Sequence, residues 1–291
     1  MFAFVANLGI AITKTWAAFF TGSGSMLAEA IHSYADSGNQ VLLFIGLKQA
    51  QRPPDRDHPL GYGKLSYFWS FIVALMLFSI GGLFSIYEGF HKLENSEPLN
   101  QVWVAIVVLI ISMVLEAAAL FGVLREIRRL RGAKSLRAWL KVTRNAELVV
   151  VLGEDTAALT GLTIALVFLG LAAVTGDPVY DAIGSICIGV VLVLVSIFIA
   201  WRIRSLIIGK SAEPELVAEI NQLIQADPVI ESVFNIITIQ LGPQVMLAVK
   251  IRLRSGVPVE EAVININALE RRLKQNHPEI GWCFVEPDLY D

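Results

Sequence analysis

The sequence predicts a polytopic α-helical membrane protein with six transmembrane helices, followed by a small soluble α+β domain. Three observations lead there. The chain has 291 residues, of which 55% are hydrophobic and 17% charged, whereas soluble domains average about 45–50% apolar and about 25% charged. Six stretches offer the roughly 20 mainly apolar helical residues that a bilayer core about 30 Å thick demands. From about Lys210 the apolar runs give way to amphipathic patterning.

The six spans fall at about 3–20, 26–49, 66–90, 102–124, 147–174 and 179–207. The fourth reads VWVAIVVLIISMVLEAAALFGVL, and the sixth contains IGSICIGVVLVLVSIFIAW. Asn7 in the first span and Glu116 in the fourth interrupt their apolar runs. Glu116 suits either a water cavity or a polar partner on a neighbouring helix. Beyond the spans, AEPELVAEINQLIQAD has helical periodicity, and VFNIITIQLGPQVMLAVKIRL alternates as two strands around a Gly-Pro turn. PVEEAVININALERRLKQNHP is a second amphipathic helix and GWCFVEP a last strand. The expected division is a transmembrane domain over 1–209 and an αββαβ, ferredoxin-like domain over 210–291.

The loops orient the chain. The connection between the fourth and fifth spans holds Arg125, Arg128, Arg129, Arg131, Lys134, Arg137, Lys141 and Arg144 against Glu126. Lys48, Arg52, Arg56 and Lys64 follow the second span, and Arg202, Arg204 and Lys210 close the sixth. The opposite loops, TGSGS, EGFHKLENSEPLN and TGDPVYD, are poor in positive charge. Excess Lys and Arg mark the cytoplasmic side, so both termini and the soluble domain are expected there. Topology accounts for these basic residues, which argues against nucleic acid as a partner. Cys187 and Cys283 form no framework, and neither a disulfide nor a Cys-type zinc site is expected. The N-terminus shows no basic n-region and no small-residue cleavage site, so no cleaved signal peptide is expected.

Ionisable residues inside spans are costly, and they often mark ion paths. His32 and Asp36, in EAIHSYADSGNQ, lie four apart and share one helix face. Glu154 and Asp155 sit in VVVLGEDTAALTG of the fifth span. His with carboxylates suits a first-row transition ion such as zinc. The alternative is a His32–Asp36 pair that fastens two helices. A second acidic cluster in another span speaks against packing alone.

Six spans, the His-x3-Asp motif at His32 and Asp36, Asp155 in the fifth span and the C-terminal αββαβ order together resemble the cation diffusion facilitators. The loop DRDHPLGYGKLSYF matches that family's HP-x-G-x-G-K/R segment. EAIHSYADSGNQ with GEDTAAL is most similar to the branch that includes the mitochondrial zinc transporters. The resemblance implies a homodimer that exchanges divalent metal for protons, with soluble domains pairing in the cytoplasm. It implies metal held between the second and fifth helices, with His32 and Asp36 supplying half the site and Asp155 a third ligand. The family's common zinc pattern has a His four residues before that Asp, where this chain has Val151. Glu154, about 100° around the helix from Asp155, a water or another polar residue is left for the fourth place. Asp55 and His58 match positions that bind an extra zinc in some relatives, but the third position is Tyr62. A turn ordered by Pro53, Pro54 and Pro59 explains that loop equally. The C-terminal domain's only His is His277, so no binuclear zinc site is expected there.

The function these readings give is a divalent metal/proton antiporter that exports zinc, or else manganese, iron or cobalt, from the cytoplasm. It is not expected to be an enzyme or to need a cofactor; the metal is the substrate. The alternative class is a membrane-embedded metalloenzyme, which calls for a motif such as H-E-x-x-H; the sequence has none. A channel would show a polar ring or a re-entrant filter. The expected location is a bacterial inner membrane.

Overall fold

The computed structural model describes residues 2–95, 98–99 and 101–290, with the side chains of residues 2–7 left out, so Asn7 lies outside the described side chains. Its first part is a series of long helices. These are α1 (Phe2–Thr21), α2 (Gly24–Ala50), the run Leu65–Glu94, α5 (Val102–Arg131), α7 (Ala146–Thr175) and α8 (Val179–Ile208). The run is made of α3 (Leu65–Met76), a π-helical segment (Leu77–Leu83) and α4 (Phe84–Glu94). A seven-residue helix, α6 (Leu136–Val142), lies in the basic connection before α7.

Among the described residues, four helices are long and apolar enough to cross a membrane: Leu65–Glu94, α5, α7 and α8. The chain is thus a helical protein of the membrane type. α2 is 27 residues long but interrupts its apolar residues with Glu29, His32, Asp36 and Asn39. α5 runs to Arg131, past the expected end near 124, because Leu, Arg and Glu are good helix formers in or out of lipid. Gly132, at φ 58°, ends it. The hydroxyls of Thr156, Thr160 and Thr163 each donate to the carbonyl four residues back, which satisfies them inside an apolar helix without a partner from another element.

The chain divides into two compact units. The first takes in Met1–Gly46, Phe68–Leu136 and Ala146–Ile203. Within it α5 packs on α1 and α7. The Leu65–Glu94 run meets α8 through small residues, which let backbones approach closely where no hydrophobic drive separates helix from lipid. A Cβ on Gly189 would come to 2.6 Å from the Gly82 carbonyl, and one on Gly89 to 2.8 Å from the Ala182 carbonyl. Trp103, Val114 and Phe121 leave α5 with an exposed apolar face.

The second unit takes in Leu47–Tyr67, Arg137–Asn145 and Arg204–Asp291. Its centre is a three-stranded sheet in the order β1 (Ile230–Leu241), β2 (Gln244–Leu253), β3 (Ile280–Pro287). β1 and β2 pair antiparallel around Gly242, at φ 68°, and Pro243. β2 and β3 pair parallel, which requires a crossover; α10 (Val259–Asn276) supplies it. α9 (Pro214–Gln225) precedes the sheet, so the expected αββαβ order is present. Val245, Leu247, Val249 and Ile251 alternate onto one buried face of β2. Leu247, Val249 and Ile251 there meet Ile220, Ile224, Leu269, Leu273 and Ile280. Cys283 is buried at this core, and burial pushes its thiol up to about 11.

Earlier residues join this unit at the hairpin. A Cβ on Gly63 would lie 2.0 Å from the Leu241 carbonyl, and the Tyr67 hydroxyl accepts from the Gly242 N–H at 3.1 Å. Arg144 donates to the carbonyls of Ser211 at 2.6 Å and Ala212 at 2.9 Å.

The glycine contact makes a test. Gly189→Val forces the run and α8 apart against backbone, an overpacking cost of about 1–3 kcal/mol. It is expected to lower the thermal midpoint of the detergent-solubilised chain by several degrees. Gly170→Ala, where a Cβ meets nothing within 4 Å, is expected to leave it unchanged.

Candidate functional site

The site begins with α2. Glu29, His32, Ser33, Asp36 and Asn39 recur at helical spacing and so share a face. Glu29, His32, Ser33 and Asn39 are buried. The N-terminus of that helix is fixed by Asp181 of α8. Its carboxylate accepts from the Gly24 N–H at 2.6 Å and the Ser23 hydroxyl at 2.7 Å, and also from the Ser25 hydroxyl. An anion there complements the unpaired N–H groups and the positive end of the helix dipole.

His32 and Asp36 come together as their spacing requires. Nε2 of His32 lies 3.5 Å from Oδ2 of Asp36, outside hydrogen-bond geometry. Both imidazole nitrogens and Oδ1 of Asp36 are buried without a hydrogen-bond partner among the described residues. A Cβ on Gly81, in the π-helical segment, would lie 4.0 Å from Nδ1 of His32. That irregular turn therefore borders the imidazole, and π-turns are frequent at functional sites.

α7 contributes its acid pair differently. Nδ2 of Asn39 donates to Oε1 of Glu154 at 2.6 Å, so the acid hydrogen-bonded to α2 is Glu154. Asp155 is half-buried, and its Oδ2 is shielded and without a hydrogen-bond partner. Glu116 of α5 lines a narrow cleft with Ile10, Ser33 and Asp36, too tight to hold a water. Among the described residues, no three or more His, Cys, Asp and Glu side chains stand close enough to hold a metal ion in this arrangement. His32 with Asp36 and Glu154 with Asn39 are separate pairs.

Lys14 and Glu29 escape the sequence reading, as do Ser33 and Asn39. Nζ of Lys14, on α1, lies 3.1 Å from Oε2 of Glu29 and 2.9 Å from the Ser33 hydroxyl. Both Lys14 and Glu29 side chains are 0% exposed. The signal that could have found them is the one used for His32, an ionisable residue within an apolar helix.

Asp55 and His58 lie in the second unit, both exposed. Oδ1 of Asp55 accepts from the N–H of Asp57 at 3.0 Å and of His58 at 2.7 Å, and Oδ2 accepts from the Tyr62 hydroxyl at 2.6 Å. The Tyr62 hydroxyl, then the His58 N–H, hold the Asp55 carboxyl below its ordinary value. The ring of His58 packs against that of Tyr62, with centroids 4.3 Å apart and the planes tilted by 34°. Hydrogen bonds from the protein thus order the turn.

Comparison with known proteins places this architecture. The cation efflux transmembrane domain family matches residues 1–208. A mitochondrial proton-coupled zinc antiporter of Xenopus laevis, SLC30A9, is 34% identical over 261 residues, 89% of this chain and 46% of the relative. Metal tolerance protein C4 of Arabidopsis thaliana is 33% identical over 225 residues, 77% of this chain and 49% of the relative. The magnetosome protein MamB of Paramagnetospirillum magneticum is 22% identical over 280 residues, 95% of this chain and 88% of the relative. The chain belongs to the cation efflux, or cation diffusion facilitator, family, and its relatives include the mitochondrial zinc transporter branch. That family is one of transporters, not enzymes. The chain spans about half the length of the zinc antiporter and metal tolerance relatives it matches.

The exposed turn yields a pH test. Because the folded Asp55 carboxyl titrates below its unfolded value, its contribution is present above the unfolded value and is lost as pH falls through the lower, folded one. Tyr62→Phe removes the largest cause. The Asp55 midpoint, followed by carboxyl NMR, is expected to rise toward the ordinary value of about 3.9. An unchanged midpoint would show that the tyrosine hydroxyl does not hold it.

Proposed function

We propose that this chain carries out proton-coupled export of a divalent metal, with zinc the best-suited cargo. The observation that carries the reading is the α2 face, where His32 and Asp36 present buried nitrogen and oxygen atoms with no hydrogen-bond partner among the described residues. Buried polar atoms are nearly always satisfied, so such orphans call for an ion or water. The Xenopus relative, a proton-coupled zinc antiporter by name, supports the same chemistry.

His32, Asp36 and Asp155 are the proposed ligands, with Glu154 or a water as the fourth. In the arrangement described above Asn39 holds Glu154, so drawing it to the ion means exchanging one hydrogen bond for a metal–oxygen bond. A carboxylate–imidazole set favours zinc, while cobalt, iron and manganese remain substrates to be compared, since selectivity among them rests on geometry. For Asp55 and His58 the geometry supports a hydrogen-bonded turn rather than part of this site.

Coupling follows from ligand chemistry. To bind metal, an imidazole must be neutral and carboxylates ionised. Imidazole ordinarily titrates near pH ~6.5, so metal arriving at near-neutral pH displaces protons and protons arriving at lower pH displace metal. Access from alternate sides turns that competition into antiport. In this reading all six long helices span the membrane, both termini and the ferredoxin-like domain face the cytoplasm, the C-terminal domains pair in a homodimer, and the membrane is a bacterial inner membrane.

The test is metal-by-metal transport in proteoliposomes under an imposed pH gradient. Zinc uptake is expected to saturate and to require the gradient. Asp36→Ala and Asp155→Ala are expected to reduce it to background while inserting normally, because removing a carboxylate eases insertion. Glu154→Gln is expected to give an intermediate loss. Wild-type uptake in Asp36→Ala or Asp155→Ala removes that residue from the site.

A further inference from the structure

The ion pair between Lys14 and Glu29 is made of two side chains with no exposed surface. Surface pairs of this kind contribute little, and burying one costs desolvation that a matching pair of apolar residues would avoid. Packing alone therefore gives no reason for it. Its position does. Glu29 lies three residues before His32 on the same face of α2. Its second oxygen, Oε1, is buried without a hydrogen-bond partner among the described residues and lies against α7, where a Cβ on Gly161 would come to 2.6 Å from it. Glu154 and Asp155 belong to that same helix.

The charges of this face are uneven. Among the described residues, Glu29 and Asp36 on α2, Glu116 on α5, and Glu154 and Asp155 on α7 are acidic, and Lys14 on α1 and His32 on α2 are basic. A carboxylate oxygen and a hydroxyl, here Glu29 and Ser33, make an oxygen site that a cation can occupy. An ammonium, a compact point charge with three donors, occupies it, with Nζ 3.1 Å and 2.9 Å from the two oxygens.

We propose that Lys14 is a resident, tethered cation that occupies a second carboxylate position on the ion face of α2 and so withholds Glu29 from the transported metal. The proposal rests on the antiport reading above. Being bound to α1, the ammonium cannot leave with the cargo. The α2 face then offers the metal only His32 and Asp36, a set weak enough to release it. Without the ammonium, Glu29 is a further anionic ligand one turn away, and the metal is held more tightly and released more slowly.

The experiment measures zinc transport by the full chain in proteoliposomes and zinc binding by calorimetry in detergent, for four proteins: wild type, Lys14→Met, Glu29→Gln and the double variant. Lys14→Met is expected to lower the apparent KM for zinc about tenfold, the ratio set by ~1.4 kcal/mol, with a fall in kcat. The double variant is expected to return both toward wild type, since neither cation nor spare carboxylate remains. Glu29→Gln leaves the ammonium without its anion and is expected to raise KM; it carries the test if Lys14→Met does not fold. A fall in kcat at unchanged KM that the double variant does not restore overturns the proposal in favour of a structural pair, as does an unchanged KM in Glu29→Gln. Wild-type vesicles that move no divalent metal overturn the antiport reading instead, and calorimetry of the same four proteins then decides the role of Lys14.

Discussion

A charge buried among apolar helices must find an opposite charge, a hydrogen-bond donor or a cation, and the helical unit of this chain is arranged around that requirement. Each carboxylate meets it differently. Asp181 is satisfied by the N-terminus of α2 and the hydroxyls of Ser23 and Ser25. Glu29 takes the ammonium of Lys14, and Glu154 takes the amide of Asn39. Among the described residues, Asp36 has the imidazole of His32 at 3.5 Å and an Oδ1 with no hydrogen-bond partner, and Oδ2 of Asp155 likewise lacks one. Oε1 of Glu29 also lacks a hydrogen-bond partner among the described residues. In the proposed reading, Asp36 and Asp155 wait for an ion, and Glu154 can exchange the Asn39 amide for it.

The same requirement explains the rest of the helical unit. The threonines of α7 turn their hydroxyls back onto their own helix, so α7 can bring Glu154 to α2 without further polar partners. The glycines that join the Leu65–Glu94 run to α8 allow close backbone contact, and the run keeps a π-helical segment beside His32. Such a segment leaves a helix locally irregular at little cost in apolar packing. In the second unit the constraint is ordinary: alternating apolar residues of β2 packed against α9 and α10, with Gly63 and Tyr67 closed on the β1–β2 hairpin.

Much of this was legible because the signals are local. Apolar length marked the long helices within a few residues, except the C-terminal end of α5, and the period of two in QVMLAVKIRL marked a strand with one buried face. His32 and Asp36 were legible as a pair because four residues make about one helical turn. Pairings between distant helices were not. Nothing near Glu154 in the sequence names Asn39, and Lys14 in TKTW gives no hint of Glu29 fifteen residues on. The π-helical segment was invisible because LFSIGGL fits an ordinary apolar helix. α6 was read as loop because its basic residues hid a short helix anchored by buried Trp139. The second unit's share of 47–67 and 137–145 depends on contacts such as Arg144 with the Ser211 and Ala212 carbonyls, which no composition signal announces.

The central claim is that His32 and Asp36 wait, incompletely matched, for a metal whose ligands are nitrogen and oxygen. Zinc K-edge X-ray absorption on the purified full chain tests it most directly. The account predicts one zinc per chain, bound when zinc is supplied in excess, with a shell of nitrogen and oxygen, an imidazole signature that disappears in His32→Ala, and no sulfur. A shell containing sulfur, an imidazole signature that survives in His32→Ala, or the absence of stoichiometric zinc would contradict it.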